Sequence, residues 1–546
     1  MLNKTQRETI KFRIFVGINN KLNLSSMKNI IYILVLILSM SSVQSALAQN
    51  VLITNVGQSN EPSIMMDYNN PNILVAGANL NYVYNSSDGG LTWKLKTLNS
   101  TYGVWGDPAI NVDTEGNFYF FHLSNTPGGN WIDRIVCQKS EDEGDTWSNG
   151  SYTGLSGTKA QDKQWSAIDR NNNNIYLTWT EFDKYGSSNT ADSSRILFSK
   201  SLDAGETWSE PKKINQVSGD CIDNDNTVEG AVPAVGPNGE VYVSWASARG
   251  IVFNRSTDEG ETWMIEDIIV DSLSGGWAYD IPGILRCNGL PVTKCDLSGG
   301  PNHGTIYINW SDQKNGLDNT DIWLKKSTDG GNTWSESIRV NDDNSEKHQF
   351  LTWMDIDQIN GNLFFVFYDR RNYDDTKTDV YMALSTDGGS KFINTRISES
   401  PFIPNEGVFF GDYSNIVAHN NIVRPIWTRF DSGKLSTWTN VTPLDEIISS
   451  VDSENAFNNN DTRLYPNPTP NISYVSFKLH ELSSIKLELF DEKGKLIKTI
   501  IDNEDMGYGG HIIPINMNEL NLTSGSYYYT LSIDGKVKTL KTILMK

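Results

Sequence analysis

Six acidic residues stand at comparable places along this chain, each where a candidate strand begins: Asp107, Asp162, Glu229, Asp280, Asp355 and Asp412, the last followed by Tyr413. Other candidate strands end in Glu181, Arg249, Asp312, Asp369, Arg370, Arg371 and Arg429, with Trp105, Trp165, Trp277 and Trp353 nearby. Carboxyl groups accept hydroxyl hydrogen bonds and move protons. Guanidinium groups hold anions through paired bonds, and aromatic rings offer flat apolar faces. Together these are the groups a sugar pocket uses. A carboxylate at a strand start also bonds to neighbouring backbone N–H groups, so each position has a purely structural reading beside the chemical one.

What positions these residues is a repeat. The pattern Ser-x-Asp-x-Gly-x-Thr-Trp occurs five times intact, beginning at Ser86, Ser140, Ser201, Ser256 and Ser327. A sixth copy, "STDGGSKF", begins at Ser385 and keeps Asp387 and Gly389. Each copy follows the same series: a strand opening on a polar residue, a Gly/Asn-rich turn such as "PNGE", a second strand such as "EVYVSW", and a third running into the motif. Several short strands per unit with one fixed motif per unit predict an all-β fold of β-propeller type.

The motif's chemistry is that of a turn. Ser and Asp side chains bond to nearby backbone N–H groups, Gly supplies a left-handed backbone, and Trp plugs the space between sheets. The motif carboxylates Asp88, Asp142, Asp203, Asp258, Asp329 and Asp387 are therefore read as structural. Hairpin geometry puts the motifs on one face and the strand starts on the other, so the candidate pocket lies away from the motif. A further unit, "FFGDYSNIVAHNNIVRPIWTRF", lacks the motif. It favours seven blades over six, with units starting near Glu61, Asp107, Asp162, Glu229, Asp280, Phe350 and Gly411, and with "VLITNV" closing the ring.

These repeats resemble the Asp-box (bacterial neuraminidase) repeat, and residues 50–442 are similar to the sialidase-like propeller superfamily. That superfamily includes sialidases, other glycosidases and non-catalytic binders. The resemblance implies a Tyr nucleophile with a carboxylate base, since a phenol of pKa about 10 needs activation. Tyr413 matches the nucleophile position, Glu229 the base, and Asp107 the acid/base. Arg249 and Arg370 are candidate members of the arginine clamp for a substrate carboxylate, and Asp162, Asp280, Asp412 and Trp165 are candidate substrate contacts. The chain departs from the pattern where the family has an Arg-Ile-Pro motif: here the sequence reads "NEPSIMMD", with Glu61 and no arginine. Two functions follow as expectations. One is glycoside hydrolysis through Tyr413 and Glu229; the other is glycan or protein binding by the same face without turnover.

The 546 residues carry a net charge of -21, which excludes a phosphate-backbone reader. Lys28, the apolar run Ile30 to Met40 and Ala46-Leu47-Ala48 read as an export signal within residues 1–48. The run is too short to span a bilayer, which needs roughly 20 residues. Of the four cysteines, Cys287 and Cys295 are the expected disulfide pair, and Cys137 reads as a buried thiol. No spacing suggests zinc, and no cofactor is expected. "DCIDNDN", residues 220–226, offers oxygens as a calcium loop does but lacks a full ligand register; a solvated acidic loop is the reading adopted.

The propeller is assigned to residues 49–442 and a polar linker to residues 443–463. Residues 464–546 read as a small antiparallel β-sandwich with alternating strands and "EKGK" and "DGK" turns. "YPNP" and "GSYYYTLSIDGK" resemble the C-terminal sorting domain of the type IX secretion system of Bacteroidetes-type bacteria. That resemblance implies the secretion machinery as a partner and release or attachment at the outer cell surface. Extracellular glycans or glycoproteins are the other expected partners.

Overall fold

The computed structural model describes residues 49–447, 462–479, 483–507, 509–520, 522–533 and 536–545. The export signal and most of the linker lie outside them. Seven four-stranded antiparallel sheets follow one another from the N-terminal side as blades 1 to 7. Blade 1 is Ser63–Met66, Leu74–Ala78, Tyr82–Ser86 and Lys94–Thr97. Blades 2, 3, 4 and 6 repeat the meander, with inner strands Ala109–Val112, Ala160–Ile168, Glu229–Val235 and Gln349–Asp357.

Blade 7 takes three strands from its own unit, Asn415–His419, Ile422–Asp431 and Lys434–Asn440. Its outer strand is Asn50–Thr54, with Val51 opposite Thr439 and Leu52 opposite Trp438. The chain's first described strand thus fastens its last blade, so the ring closes without a free edge at this join. Seven blades are present, as the motif-less unit indicated.

The second strand of each blade lies between two neighbouring sheets and is buried on both faces. This is why "IYLTWTEF", "VYVSWAS" and "IYINWSD" read as continuous β-branched and aromatic runs rather than alternating ones. Trp179, Trp245, Trp310 and Trp427 fill these strands and are fully buried.

The repeated motif closes the turn between third and fourth strands in the same way in its five intact copies, and the sixth keeps the Ser385, Gly389 and Lys391 bonds without the threonine hydroxyl. At Ser256, Oγ donates to Asp258 Oδ1 (2.7 Å) and accepts from Gly260 N (2.8 Å), while Thr262 N and Oγ1 donate to the two Asp258 oxygens (2.8 and 2.6 Å). These bonds hold the Asp258 carboxyl at about 2, below the usual range, the Thr262 hydroxyl bond being the largest contribution. Gly260 has φ +81°, and a Cβ there would stand 2.2 Å from the Phe198 ring of blade 3. Trp263 packs edge-on against the same ring at 5.0 Å, and Trp334 meets Phe253 of blade 4 at 5.2 Å. The motif is a clasp that ties one blade to the one before it.

Blade 5 departs from the sequence expectation. Its inner strand is Val292–Cys295, not a strand starting at Asp280. Residues 272–291 instead form an excursion containing the short pair Ala278–Tyr279 and Cys287–Asn288, and Asp280 is exposed on it. Cys287 and Cys295 are unbridged; all four cysteines are free, buried thiols. Cys287 packs with Tyr279 and Phe350 in the core around the axis, Cys295 with Ile306 and Trp310 between blades. The extended inner strand separates the two thiols, so the expected disulfide is corrected to two isolated buried cysteines.

The C-terminal unit holds a three-stranded sheet (Arg463–Tyr465, Ile472–Leu479, Gly509–Asn516) and a four-stranded one (Leu496–Met506, Ser483–Phe490, Gly525–Ile533, Lys536–Leu544), both antiparallel. Ser483–Phe490 alternates buried and half-buried residues, and Ile485, Leu487 and Leu489 meet Val475, Phe477 and Tyr529 in its core. Among the described residues no helix is long and apolar enough to cross a membrane.

Candidate functional site

Inner strands in six blades begin with a backbone device that the sequence does not announce. Glu61, Asp107, Lys163, Gly230, Leu351 and Gly411 all have positive φ, of 50°, 53°, 51°, 73°, 50° and 104°. Each stands two residues before a residue of the next layer: Ser63, Ala109, Trp165, Val232, Trp353 and Tyr413. Left-handed backbone is rare for non-glycine residues. Its recurrence in register makes it part of how the blades enter the axis.

The first layer is ionic and centred on Lys163, which is 7% exposed. Its Nζ lies 3.0 Å from Asp107 Oδ2, 3.0 Å from Asp412 Oδ2, 3.8 Å from Asp162 Oδ1 and 3.9 Å from Glu61 Oε1. Burial opposes the ammonium's charge, but Asp107, Asp162, Asp412 and Glu61 together raise its pKa well above the usual lysine value. Arg286, from the excursion, grips Asp412 with two nitrogens and reaches Asp223 Oδ2 at 3.1 Å. Burial would raise the Asp412 carboxyl, yet Lys163 and Arg286 hold it well below its ordinary range.

The remaining carboxyls are less closely compensated, Lys163 standing 3.8 Å from Asp162 and 3.9 Å from Glu61. Burial, with Asp107 adding to it, pushes Glu61 well up, and burial lifts Asp162 to about 7. Glu229 is 1% exposed, and its oxygens accept no hydrogen bond from an amide, hydroxyl or cation; the groups beside it are the carboxyls of Asp223 and Asp162. Burial, then Asp223 and Asp162, drives its pKa well above the usual glutamate value.

The second layer is aromatic. Trp165 of blade 3 and Trp353 of blade 6 meet across the axis at 4.2 Å, and Tyr413 of blade 7 packs edge-on to Trp165 at 5.0 Å. At the matching positions blades 1 and 2 carry the small residues Ser63 and Ala109, which leave room for the three large rings. The Tyr413 hydroxyl donates to the Pro108 carbonyl at 3.3 Å. Burial, with Glu61 and Asp107 nearby, raises the phenol far above its ordinary pKa. The cavity left among Lys163, Trp165, Trp353, Asp412 and Tyr413 holds about 20 Å³, against several hundred Å³ for a small-molecule pocket.

The structure therefore divides the residues expected to act together. Asp107, Asp162, Asp412, Glu229, Trp165 and Tyr413 do converge on the axis. Arg249 does not: its guanidinium turns outward to Asp267, 4.0 Å away. Arg370 binds Thr378 Oγ1 (3.0 Å) and the Pro282 carbonyl (2.8 Å) over the Phe350 ring. Asp280 is an exposed residue of the excursion, lining a separate hollow with Tyr279 and His348. The 220–226 loop spends its carboxylates on its own surroundings: Asp220 on Ile222 N and Thr227, Asp225 on Ala278 N, and Asp223 on Tyr185 and Arg286.

Two groups that sequence reasoning missed dominate the layer. Lys163 was findable, because "QDKQW" sets it in the register of Glu61 and Asp107. Arg286 was not, because its excursion breaks the repeat.

Residues 463–546 match the model of the secretion system C-terminal sorting domain. That tail marks the chain for export to the cell surface or beyond it. No curated protein matches the chain. Similar solved structures include a Hadza microbial sialidase (14% identical over 69% of this chain and 74% of that one, TM-score 0.38). A sialidase from Streptococcus pneumoniae is 11% identical over 64% and 70% of the chains, with TM-score 0.43. An α-L-arabinanase from Penicillium chrysogenum is 15% identical over 62% and 97%, with TM-score 0.38. At these identities and TM-scores the likenesses assign no activity to this chain.

Proposed function

We propose that this exported propeller engages extracellular glycans on the face of its strand starts and does not hydrolyse sialosides. One observation carries the reading: both axial cations, Lys163 and Arg286, are already taken by carboxylates. A sialoside would bring its own carboxylate to a layer whose two cations already face Asp107, Asp412 and Asp223, and it would have to compete with them for those charges. The contacts of the phenol also weigh against the nucleophile role: Tyr413 packs edge-on to Trp165, and its hydroxyl bonds to the Pro108 carbonyl rather than to Glu229. Display of the full chain on an array of neutral and acidic glycans tests the proposal. Retention on at least one neutral glycan is expected; no retention on any glycan overturns it.

A second reading, hydrolysis of a neutral glycan, is favoured by one observation. Asp162 keeps its proton to about pH 7, while Asp412 on the same ammonium stays ionised. Divided carboxyls of this kind suit an acid and a base. Release of reducing ends from a bound neutral glycan, abolished in Asp162→Asn, distinguishes it from binding alone.

A further inference from the structure

Beside the ionic layer, on the same face, three aromatic side chains form a stepped ledge. Trp105 lies two residues before Asp107. Trp131 opens the third strand of blade 2, Trp131–Ser140. Tyr185 follows the second strand of blade 3, Ile175–Phe182. Trp105 and Trp131 meet at 6.4 Å and 90°, Trp131 and Tyr185 at 5.4 Å and 86°. Trp131 is 44% exposed, unlike the buried tryptophans of the second strands. The loops around it leave room, since a Cβ on Gly128, Gly157 or Gly186 would meet nothing within 4 Å.

The ledge is wired to the axis. The Tyr185 hydroxyl donates to Asp223 Oδ2 at 2.6 Å, and Asp223 takes Arg286, which grips Asp412. Beneath the ledge, half-exposed Asp183 accepts from Lys159 (3.2 Å) and Arg195 (2.7 Å). The surface thus alternates ring faces with carboxylate acceptors.

We infer that this ledge is a binding platform for a neutral pyranose of an oligosaccharide, with Trp131 as the stacking face. The inference rests on the glycan-binding reading above and names its ligand class and residues. The weakly positive C–H face of a sugar ring suits the negative face of an indole. Its hydroxyls can donate to the lone pairs that Asp183 and Asp223 retain beside their present partners. An anionic sugar finds the adjoining cations Lys163 and Arg286 already paired with Asp107, Asp412 and Asp223, and is disfavoured beside a neutral one.

The test titrates full-length protein with cellohexaose, mannohexaose, xylohexaose and chitin hexasaccharide, following tryptophan fluorescence and heat. Oligogalacturonate and polysialic acid serve as anionic comparisons. Binding of at least one neutral hexasaccharide is expected, weakened at least tenfold in Trp131→Ala and about threefold or less in Trp131→Phe. Tyr152→Ala, an exposed aromatic elsewhere on blade 2, should bind as the parent does. An unchanged melting curve for Trp131→Ala shows that folding is intact. Full-strength neutral binding in Trp131→Ala overturns the ledge but leaves the glycan-binding function standing. Binding of the anionic polymers alone, or of none of the six, overturns the ledge; the function falls with it only if the glycan array retains nothing either.

Discussion

Replacing Lys163 by Met removes the single ammonium that faces Glu61, Asp107, Asp162 and Asp412. Breaking a buried ion pair by deleting one partner costs about 3–5 kcal/mol, because the other charge stays buried and uncompensated. Unfolding entropy of about 2.1 cal/mol/K per residue, applied to a propeller spanning residues 50–440, gives on the order of 0.8 kcal/mol/K. The expected fall in Tm is therefore about 4–6 °C at pH 7.5, read by calorimetry or near-ultraviolet circular dichroism. Without the ammonium the carboxyls can relieve their repulsion only by taking up protons. The deficit should accordingly shrink at pH 5.5. A fall below about 1 °C at pH 7.5, or an equal deficit at both pH values, refutes the claim that Lys163 organises this layer.

Glu229→Gln should raise Tm at pH 7.5 by about 1–3 °C, since it removes a buried carboxyl that accepts no hydrogen bond from an amide, hydroxyl or cation; an unchanged or lower Tm counts against that description. The parent protein should itself gain stability between pH 7 and about pH 4.5. Folded Asp162 holds its proton to about 7 while the unfolded chain releases it near 3.9, so the folded state binds more protons across that window and stability falls as pH rises through it. A flat melting profile over the window contradicts this. Gly260→Ala forces a Cβ onto the Phe198 ring at φ +81° and should cost about 1–3 kcal/mol, with glycan-array retention unchanged; loss of retention at equal stability would tie the clasp to binding. Thiol titration without reductant should find no reactive cysteine in the folded protein and four after unfolding; two after unfolding would restore the Cys287–Cys295 disulfide.

Much of the fold could be read from the residues because the repeat is local. Ser, Asp, Gly and Thr at fixed spacing close their own turn by bonds within seven positions, so the clasp and the blade count follow from short-range chemistry. The ring closure by Asn50–Thr54 was legible for the same reason: an unpaired strand at one end and a three-stranded unit at the other. The site was less legible. Which charges meet on the axis depends on left-handed residues such as Lys163 and Leu351, and no residue type forces that conformation there. Asp280 and Arg286 lie in an excursion that interrupts the period, which put blade 5's inner strand twelve residues later than the pattern suggested. Arg249 and Arg370 stand on the correct face, yet their guanidiniums turn to Asp267 and to Thr378 and Pro282, choices made by packing rather than by position.

The central claim is that the two cations of the axial layer, Lys163 and Arg286, are committed to its own carboxylates and not to a substrate's. Turnover of a fluorogenic N-acetylneuraminic acid glycoside by full-length protein, set beside Tyr413→Phe, tests it most directly. Rates for the two indistinguishable from the uncatalysed hydrolysis are predicted. Saturable release by the parent chain, lost when the phenol oxygen is removed, would contradict the account.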